Sequence, residues 1–282
     1  MQGLVLEGGS MRSIFSSGVM DALLDEGIDF PYVIGVSAGI THGVSYVSKQ
    51  RGRNYDVVVG YREDSRYFGV KNLLSDHSLF GIKFVFEDMP NEFVPFDWNA
   101  YRSNPAKVLV GVTNANTGKP EYLSGEKLES SSAILKASCA QPVMFPVQII
   151  DGTPYFDGGI TDSIPAKKAL EDGCNKLLIV MTRAKGYKKE SSLKMEFVAN
   201  AIKNKYPEMV FPLLNRHLMY NEQVEYCEQL EHEGKAVLLR PAADKMIRSL
   251  EGDSKELARF YNHGYDVAMA NIDKIKGLFE ED

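Results

Sequence analysis

The chain has 282 residues, 44% hydrophobic and 25% charged, an ordinary globular balance for one large domain or two small ones. Its 32 basic and 38 acidic residues leave a net charge of -6, which argues against a nucleic-acid partner and against recruitment to anionic membrane by charge alone. Three scattered cysteines without a C-x-x-C pair argue against a disulfide framework or a structural zinc site. With no secretory signal and no apolar run of about 18 residues, a soluble cytoplasmic protein is expected.

Gly3 to Leu6 predicts a short apolar strand that runs into the turn Glu7-Gly8-Gly9-Ser10. From Met11 to Glu26, apolar residues at helical spacing (Ile14, Phe15, Gly18, Val19, Ala22, Leu23) predict a helix, with Gly27 as its stop. Tyr32 to Val36 predicts a buried strand, and Ser37-Ala38-Gly39 opens a second helix that runs to about Ser48. Strands that alternate with helices in this way predict an α/β layer fold with largely parallel strands.

Residues 51–106 read as irregular and aromatic-rich. Within them, Leu79 to Trp98 reads first as core and loop packing, and otherwise as a lid or a lipid-facing segment. Lys107 to Val112 predicts a strand with a hairpin partner after Gly118, and Ser130 to Ala140 a helix. Val147–Ile150 and Pro154–Phe156 flank Asp151-Gly152, a strong hairpin signal. Lys176–Met181 and Ala236–Leu239 predict two further strands, and most of the chain beyond residue 190 reads as helix. No linker or repeat divides the chain. One domain over residues 1–282 is expected, with a motif-bearing core to about 185 and a mainly helical extension over about 190–282.

Three segments carry chemistry. Gly35-Val36-Ser37-Ala38-Gly39 is a G-x-S-x-G motif between a strand and a helix. Such a turn pushes a serine hydroxyl outward at a helix N-terminus, although an ordinary strand-to-helix turn fits the same letters. Glu7-Gly8-Gly9-Ser10-Met11-Arg12-Ser13, also between strand and helix, can turn backbone N–H groups toward an anion, while a tight turn alone fits it too. Asp157-Gly158-Gly159 presents a carboxylate on a flexible loop after the hairpin. A nucleophilic serine needs a base. His42 stands five residues past Ser37 on the same helix, and His77, His217, His232 and His263 lack a catalytic context, apart from His263 before Gly264. That leaves Asp157 to act directly as the base.

In this order the three segments resemble the patatin-like phospholipase family, whose pattern is a glycine-rich oxyanion loop, then G-x-S-x-G, then D-G-[GA]. The flanks Ala137-Ser-Cys-Ala-Gln-Pro-Val-Met-Phe-Pro146 and Tyr155-Phe-Asp-Gly-Gly-Ile-Thr-Asp-Ser-Ile-Pro165 are similar to the family's as well. The resemblance covers roughly residues 1–185, and the remainder is similar, less specifically, to bacterial members. It implies a three-layer α/β/α fold around a central, largely parallel sheet. It also implies hydrolysis of lipid or other acyl esters through an acyl-enzyme, with peripheral membrane contact, no metal and no organic cofactor. In that reading Ser37 is the nucleophile between Gly35 and Gly39, and Asp157, beside Gly158 and Gly159, takes its proton. Backbone N–H groups of Gly8, Gly9, Ser10, Met11 and Arg12 hold the oxyanion.

The chain departs from the family's G-G-G-x-R-G loop at two points, with Ser10 and Ser13 in place of glycine. If the third position needs a positive φ, a serine there costs about 1 kcal/mol. A displaced oxyanion donor costs about 10²-fold in rate. The alternative is therefore a weakly active or non-catalytic protein that binds lipid or anion. An ordinary α/β-hydrolase with a Ser-His-Asp triad is disfavoured, because the serine turn comes after only the second strand.

Overall fold

The apolar runs assemble into one sheet in the computed structural model, which describes residues 1–280. Its strands are β1 (Gln2–Leu6), β2 (Tyr32–Val36), β3 (Lys107–Asn114), β4 (Lys119–Ser124), β5 (Gln148–Ile150), β6 (Thr153–Asp157), β7 (Lys176–Val180) and β8 (Ala236–Leu239). The order is β5-β6-β3-β2-β1-β7-β8, with β4 also paired to β3. The five strands from β3 to β8 along this path run parallel, while β4, β5 and β6 pair antiparallel. Asp151 and Gly152 both have positive φ (49° and 77°), as the two-residue hairpin between β5 and β6 requires.

Side chains alternate across the sheet and feed two separate cores. Leu4, Leu6, Val33, Val110, Leu178 and Val180 face one side and pack with helix α1 (Ile14–Asp25) and helix α2 (Ala38–Val47). Val5, Ile34, Leu109, Leu177 and Ile179 face the other and pack with Tyr220, Cys227 and Leu230 of the long helix Val210–His232. Cores on both faces of a mostly parallel sheet make a three-layer α/β/α fold.

The helix Ser254–Ala270 packs along α1 through two glycines. A Cβ on Gly18 would run into the Tyr261 carbonyl oxygen, and one on Gly264 into that of Phe15. Asp21 joins the same contact, accepting from Tyr261 Oη at 2.6 Å and from the Gly52 N–H at 3.0 Å. This brings the segment around Ser249 against the loop that follows β1.

Several elements differ from the sequence reading, among them short helices over Arg53–Val58, Asn72–Ser75 and Trp98–Ser103 in the stretch read as irregular. The helix predicted from Met11 begins as a 3₁₀ turn, Ser10–Ser13, before α1 starts at Ile14. The stretch read as irregular contains a π-helical segment, Phe84–Phe93, that carries Pro90. Proline has no N–H to donate, so α-helical pairing cannot run through it unbroken. The rings of Phe84, Phe86 and Phe96 are buried, so packing accounts for most of this aromatic run. No helix among the described residues is long and apolar enough to cross a membrane.

Candidate active site

β2 ends at Val36 and α2 begins at Ala38, so a single residue must reverse the chain. That residue, Ser37, takes φ 53° and ψ -137°, a conformation that L-residues rarely adopt. The strain turns its hydroxyl out of the sheet edge. The turn closes tightly because position 39 has no side chain: a Cβ on Gly39 would lie 2.6 Å from the Glu7 carbonyl oxygen.

The sheet register brings the second group to the same point. β2 pairs with β3 as far as Val36 opposite Gly111, and β6 pairs with β3 from Asp157 opposite Val112. β4 lies along β3 from Leu109 to Asn114, so β2 and β6 share β3's other edge, end to end. The residue that leaves β2 therefore meets the last residue of β6. Ser37 Oγ donates to Asp157 Oδ2 at 2.8 Å.

Asp157 is 1% exposed. Its Oδ1 accepts the Gly159 N–H at 2.7 Å, and its Oδ2 accepts Gln141 Nε2 at 3.3 Å besides Ser37. Burial raises its pKa above the usual aspartate value, while Arg216, the Gly159 N–H, Ser37 and Gln141 pull the other way. Gly158 and Gly159 continue into a 3₁₀ turn capped by the Asp157 side chain. Behind Ser37, the main chain is fastened: its N–H donates to Ser138 Oγ (2.7 Å), which donates to the Gly111 carbonyl (2.7 Å). The Cys139 sulfur sits 3.9 Å from Ser37 Oγ, and burial pushes its pKa up to about 12, so it stays a neutral thiol.

The glycine-rich loop lines the same cavity. Ser10 has φ 54°, so the backbone there does adopt the left-handed conformation that glycine would take without strain. Of the five N–H groups expected to face an anion, two are already used. Met11 N–H donates to the Ser249 carbonyl (3.1 Å) and Arg12 N–H to that of Gly9 (3.2 Å). The N–H groups of Gly8, Gly9 and Ser10 have no partner among the described residues. Glu7, just before them, is 3% exposed and held by the Thr182 N–H (2.6 Å) and Tyr220 Oη (2.9 Å).

No histidine bonds to Ser37 or Asp157 among the described residues. His42 lines the cavity, but its Nδ1 faces Ser17 Oγ (3.0 Å) and the Ser13 carbonyl (3.1 Å), and burial pushes its pKa down to about 4, which keeps it neutral. His263 Nε2 accepts the Ala242 N–H, and His217 meets the Leu214 carbonyl.

The cavity measures about 310 Å³ and is walled by Phe80, Val85, Phe86 and Phe145 on its apolar side. Its polar wall includes Arg12, Arg183, Lys189 and Arg216. The sequence reading missed Ser138, Gln141, Tyr220, Arg183, Lys189 and Arg216. Ser138 and Gln141 stand in the quoted segment before the aspartate and were legible as neighbours. Arg183 and Lys189 stand in the basic loop 183–194, which the sequence gives reason to read as a solvated connection but which lines the cavity, and Tyr220 and Arg216 reach the site through tertiary packing.

A family model described as patatin-like phospholipase matches residues 4–170, and a second, a domain of unknown function (DUF6363), matches residues 206–280. The uncharacterized protein YjjU of Escherichia coli (strain K12) is 26% identical over 183 residues, 64% of this chain and 51% of YjjU. The lysophospholipase NTE1 of Kluyveromyces lactis is 24% identical over 179 residues, and that of Yarrowia lipolytica 25% over 185. These spans are 61% and 63% of this chain and 12% of each relative. The chain thus spans about half the length of YjjU and a small part of NTE1. Among solved structures, VipD from Legionella pneumophila is similar at a TM-score of 0.48 and 15% identity, covering 96% of this chain and 66% of that one.

Ser10 yields a first prediction. Glycine at position 10 removes strain of the order of 1 kcal/mol but adds a similar freedom to the unfolded chain, about 0.4–1 kcal/mol. Ser10→Gly should therefore leave stability nearly unchanged in thermal unfolding. It should raise turnover of a p-nitrophenyl ester several-fold, because the three free N–H groups can converge without strain. No gain in turnover would show that Ser10 does not impair the loop.

Proposed function

The chain belongs to the patatin-like phospholipase family, and from that premise we propose that it hydrolyses acyl esters of lipids through a Ser37–Asp157 dyad. The observation that carries this reading is the 2.8 Å hydrogen bond from Ser37 Oγ to the buried carboxylate of Asp157. Ser37 Oγ attacks the ester carbonyl and its proton passes to Asp157 Oδ2. The carbonyl oxygen becomes an oxyanion that accepts from the N–H groups of Gly8, Gly9 and Ser10. The intermediate collapses, the C–O bond to the alcohol breaks, and Asp157 returns the proton to the leaving oxygen. Water then attacks the acyl-Ser37 ester, giving its proton to Asp157, and the freed fatty acid leaves as Ser37 regains a proton.

Burial suits Asp157 to this task. A carboxylate removed from water gains more by taking a proton than an ordinary aspartate does. The N–H of Gly159 and the amide of Gln141 keep it oriented toward Ser37.

Lipid approach is assigned to the helices beyond residue 190. Leu193, Phe197, Phe211 and Leu218 stand exposed on the helices Leu193–Ile202 and Val210–His232. Lys194, next to Leu193, lines the cavity and touches Met144 of its rim. We take these exposed apolar side chains as the lipid contact, since the charge of -6 gives no long-range pull toward anionic head groups.

Three measurements check the proposal. Ser37→Ala and Asp157→Asn should each lower p-nitrophenyl ester turnover by about 10³-fold or more, while His42→Asn, His217→Asn and His263→Asn retain it. Turnover indifferent to Ser37 would leave a lipid- or anion-binding protein. Turnover lost with one histidine would restore a triad. The acid limb of kcat/KM should lie above the ordinary aspartate pKa of about 3.9, since activity falls once Asp157 is protonated; a limb at or below that value would contradict its role as base. Phe197→Asp with Phe211→Asp should weaken sedimentation with phosphatidylcholine vesicles, and unchanged binding by the folded variant would rule out that face.

A further inference from the structure

Ester hydrolysis needs a nucleophile, a base and an oxyanion site, and of the remaining charge in the cavity only Arg216 bears on them, through Asp157. Five cations line it, Arg12, Arg183, Lys189, Lys194 and Arg216, against two carboxylates, Glu7 and Asp157. This concentration of positive charge sits in a chain whose net charge is -6. Both carboxylates are already occupied by hydrogen-bond donors, Glu7 by Thr182 and Tyr220 and Asp157 by Ser37, Gly159 and Gln141.

The cations are held in place without being neutralised. The Arg183 guanidinium lies 4.1 Å over the Tyr187 ring, and Lys189 Nζ lies 4.3 Å over the Tyr220 ring. The two rings meet edge to face at 6.1 Å. Asn221 clamps the Lys189 main chain with two hydrogen bonds, from the Lys189 N–H (2.8 Å) and to its carbonyl (2.9 Å). Arg216 Nε donates to the Gly159 carbonyl at 2.6 Å, which leaves its other N–H groups for a ligand. Arg12 Nε is buried with no hydrogen-bond partner. Among the described residues none of Arg12, Arg183, Lys189 and Arg216 forms an ion pair.

Burial and neighbouring positive charge act on two of these groups. Burial, and then the nearby Arg216, pushes the Lys189 ammonium down to about 7. Burial, and then Arg183, pushes Arg12 down to about 10. An anion among them would relieve the repulsion. Guanidinium forks and an ammonium are the donors that match the oxygens of a phosphate.

The same wall disfavours a zwitterionic head group. A quaternary ammonium is received by open aromatic faces or free carboxylates. On this wall one face each of the Tyr187 and Tyr220 rings is covered by Arg183 and Lys189, and Glu7 is taken up by its own donors, while the rings of Phe80, Phe86 and Phe145 belong to the apolar side. A terminal phosphate, which carries close to two negative charges at neutral pH, has no such conflict.

We propose that Arg183, Lys189 and Arg216, together with Arg12, form a subsite for a terminal phosphate monoester, so that the preferred substrate is an acyl glycerol phosphate over its neutral or choline-bearing counterpart. The proposal rests on the acyl-hydrolase reading of Ser37. Arg183, Lys189 and Arg216 lie outside residues 4–170, so the selectivity would belong to this chain's C-terminal part and not to the dyad.

The test compares one acyl chain on glycerol, glycerol phosphate and glycerophosphocholine, with the full-length protein. The parent should favour the phosphate monoester by tenfold or more in kcat/KM, chiefly through KM. Arg183→Gln with Lys189→Gln should lower that preference at least tenfold, and Lys189→Arg should keep it. Calorimetric binding of acyl glycerol phosphate and of acyl glycerol to Ser37→Ala gives the same comparison without turnover, so a failed hydrolase reading would show separately. Equal handling of the three esters by the parent, or variants that slow all three alike, would overturn the subsite. Inorganic phosphate that binds without any preference for the phosphorylated ester would assign the cations to free phosphate and overturn it as well.

Discussion

The site depends on how the edge of β3 is divided. β2 occupies that edge up to Gly111 and β6 takes it over from Val112, so the chain leaving β2 and the chain ending β6 arrive at one point. Two residues 120 positions apart, one just past the end of β2 and one at the end of β6, are thereby held at 2.8 Å. The same junction anchors its own support. Ser138 ties the Ser37 N–H to the Gly111 carbonyl, and a Cβ on Gly158 would run into that same carbonyl oxygen. A shift in register of one residue in β6 would turn Asp157 to the opposite face of the sheet and undo the arrangement.

Around that junction the C-terminal part of the chain does more than cover the sheet. The Ser249 carbonyl takes up the Met11 N–H and so sets which donors of the glycine-rich loop remain free. Tyr220 reaches Glu7 at the start of that loop, and Arg216 reaches Gly159 beside the aspartate. These contacts come from residues 206–280, the segment matched by a separate family model. Ser37 and Asp157 lie in one matched segment, and part of what surrounds them lies in the other.

Much of the fold was legible in the sequence because it rests on local signals. Apolar runs marked every strand except β4, which was legible only as a hairpin partner after Gly118, and Asp151-Gly152 marked the hairpin that delivers Asp157. The three motifs named the two residues that the structure brings into contact. The question raised by Ser10 was legible too, since a positive φ at that position is what a missing glycine makes costly. What could not be read was set by tertiary contact. The loss of Met11 as a free donor depends on Ser249, more than 230 residues away, and the cationic wall is assembled from three separate stretches. The aromatic run at 79–98 reads first as packing, and Phe84, Phe86 and Phe96 are buried while Phe80 and Phe86 line the cavity; the exposed Leu193, Phe197, Phe211 and Leu218 stand on helices that composition alone did not single out.

The central claim is that a buried aspartate, with no histidine, activates Ser37. Labelling with a fluorophosphonate, which reacts with an activated serine whatever the natural substrate, addresses that claim directly. Mass spectrometry should find the adduct on Ser37 in the parent and in His42→Asn, and labelling should fall away in Asp157→Asn. An adduct that forms equally well in Asp157→Asn, or that never forms on Ser37, would contradict it.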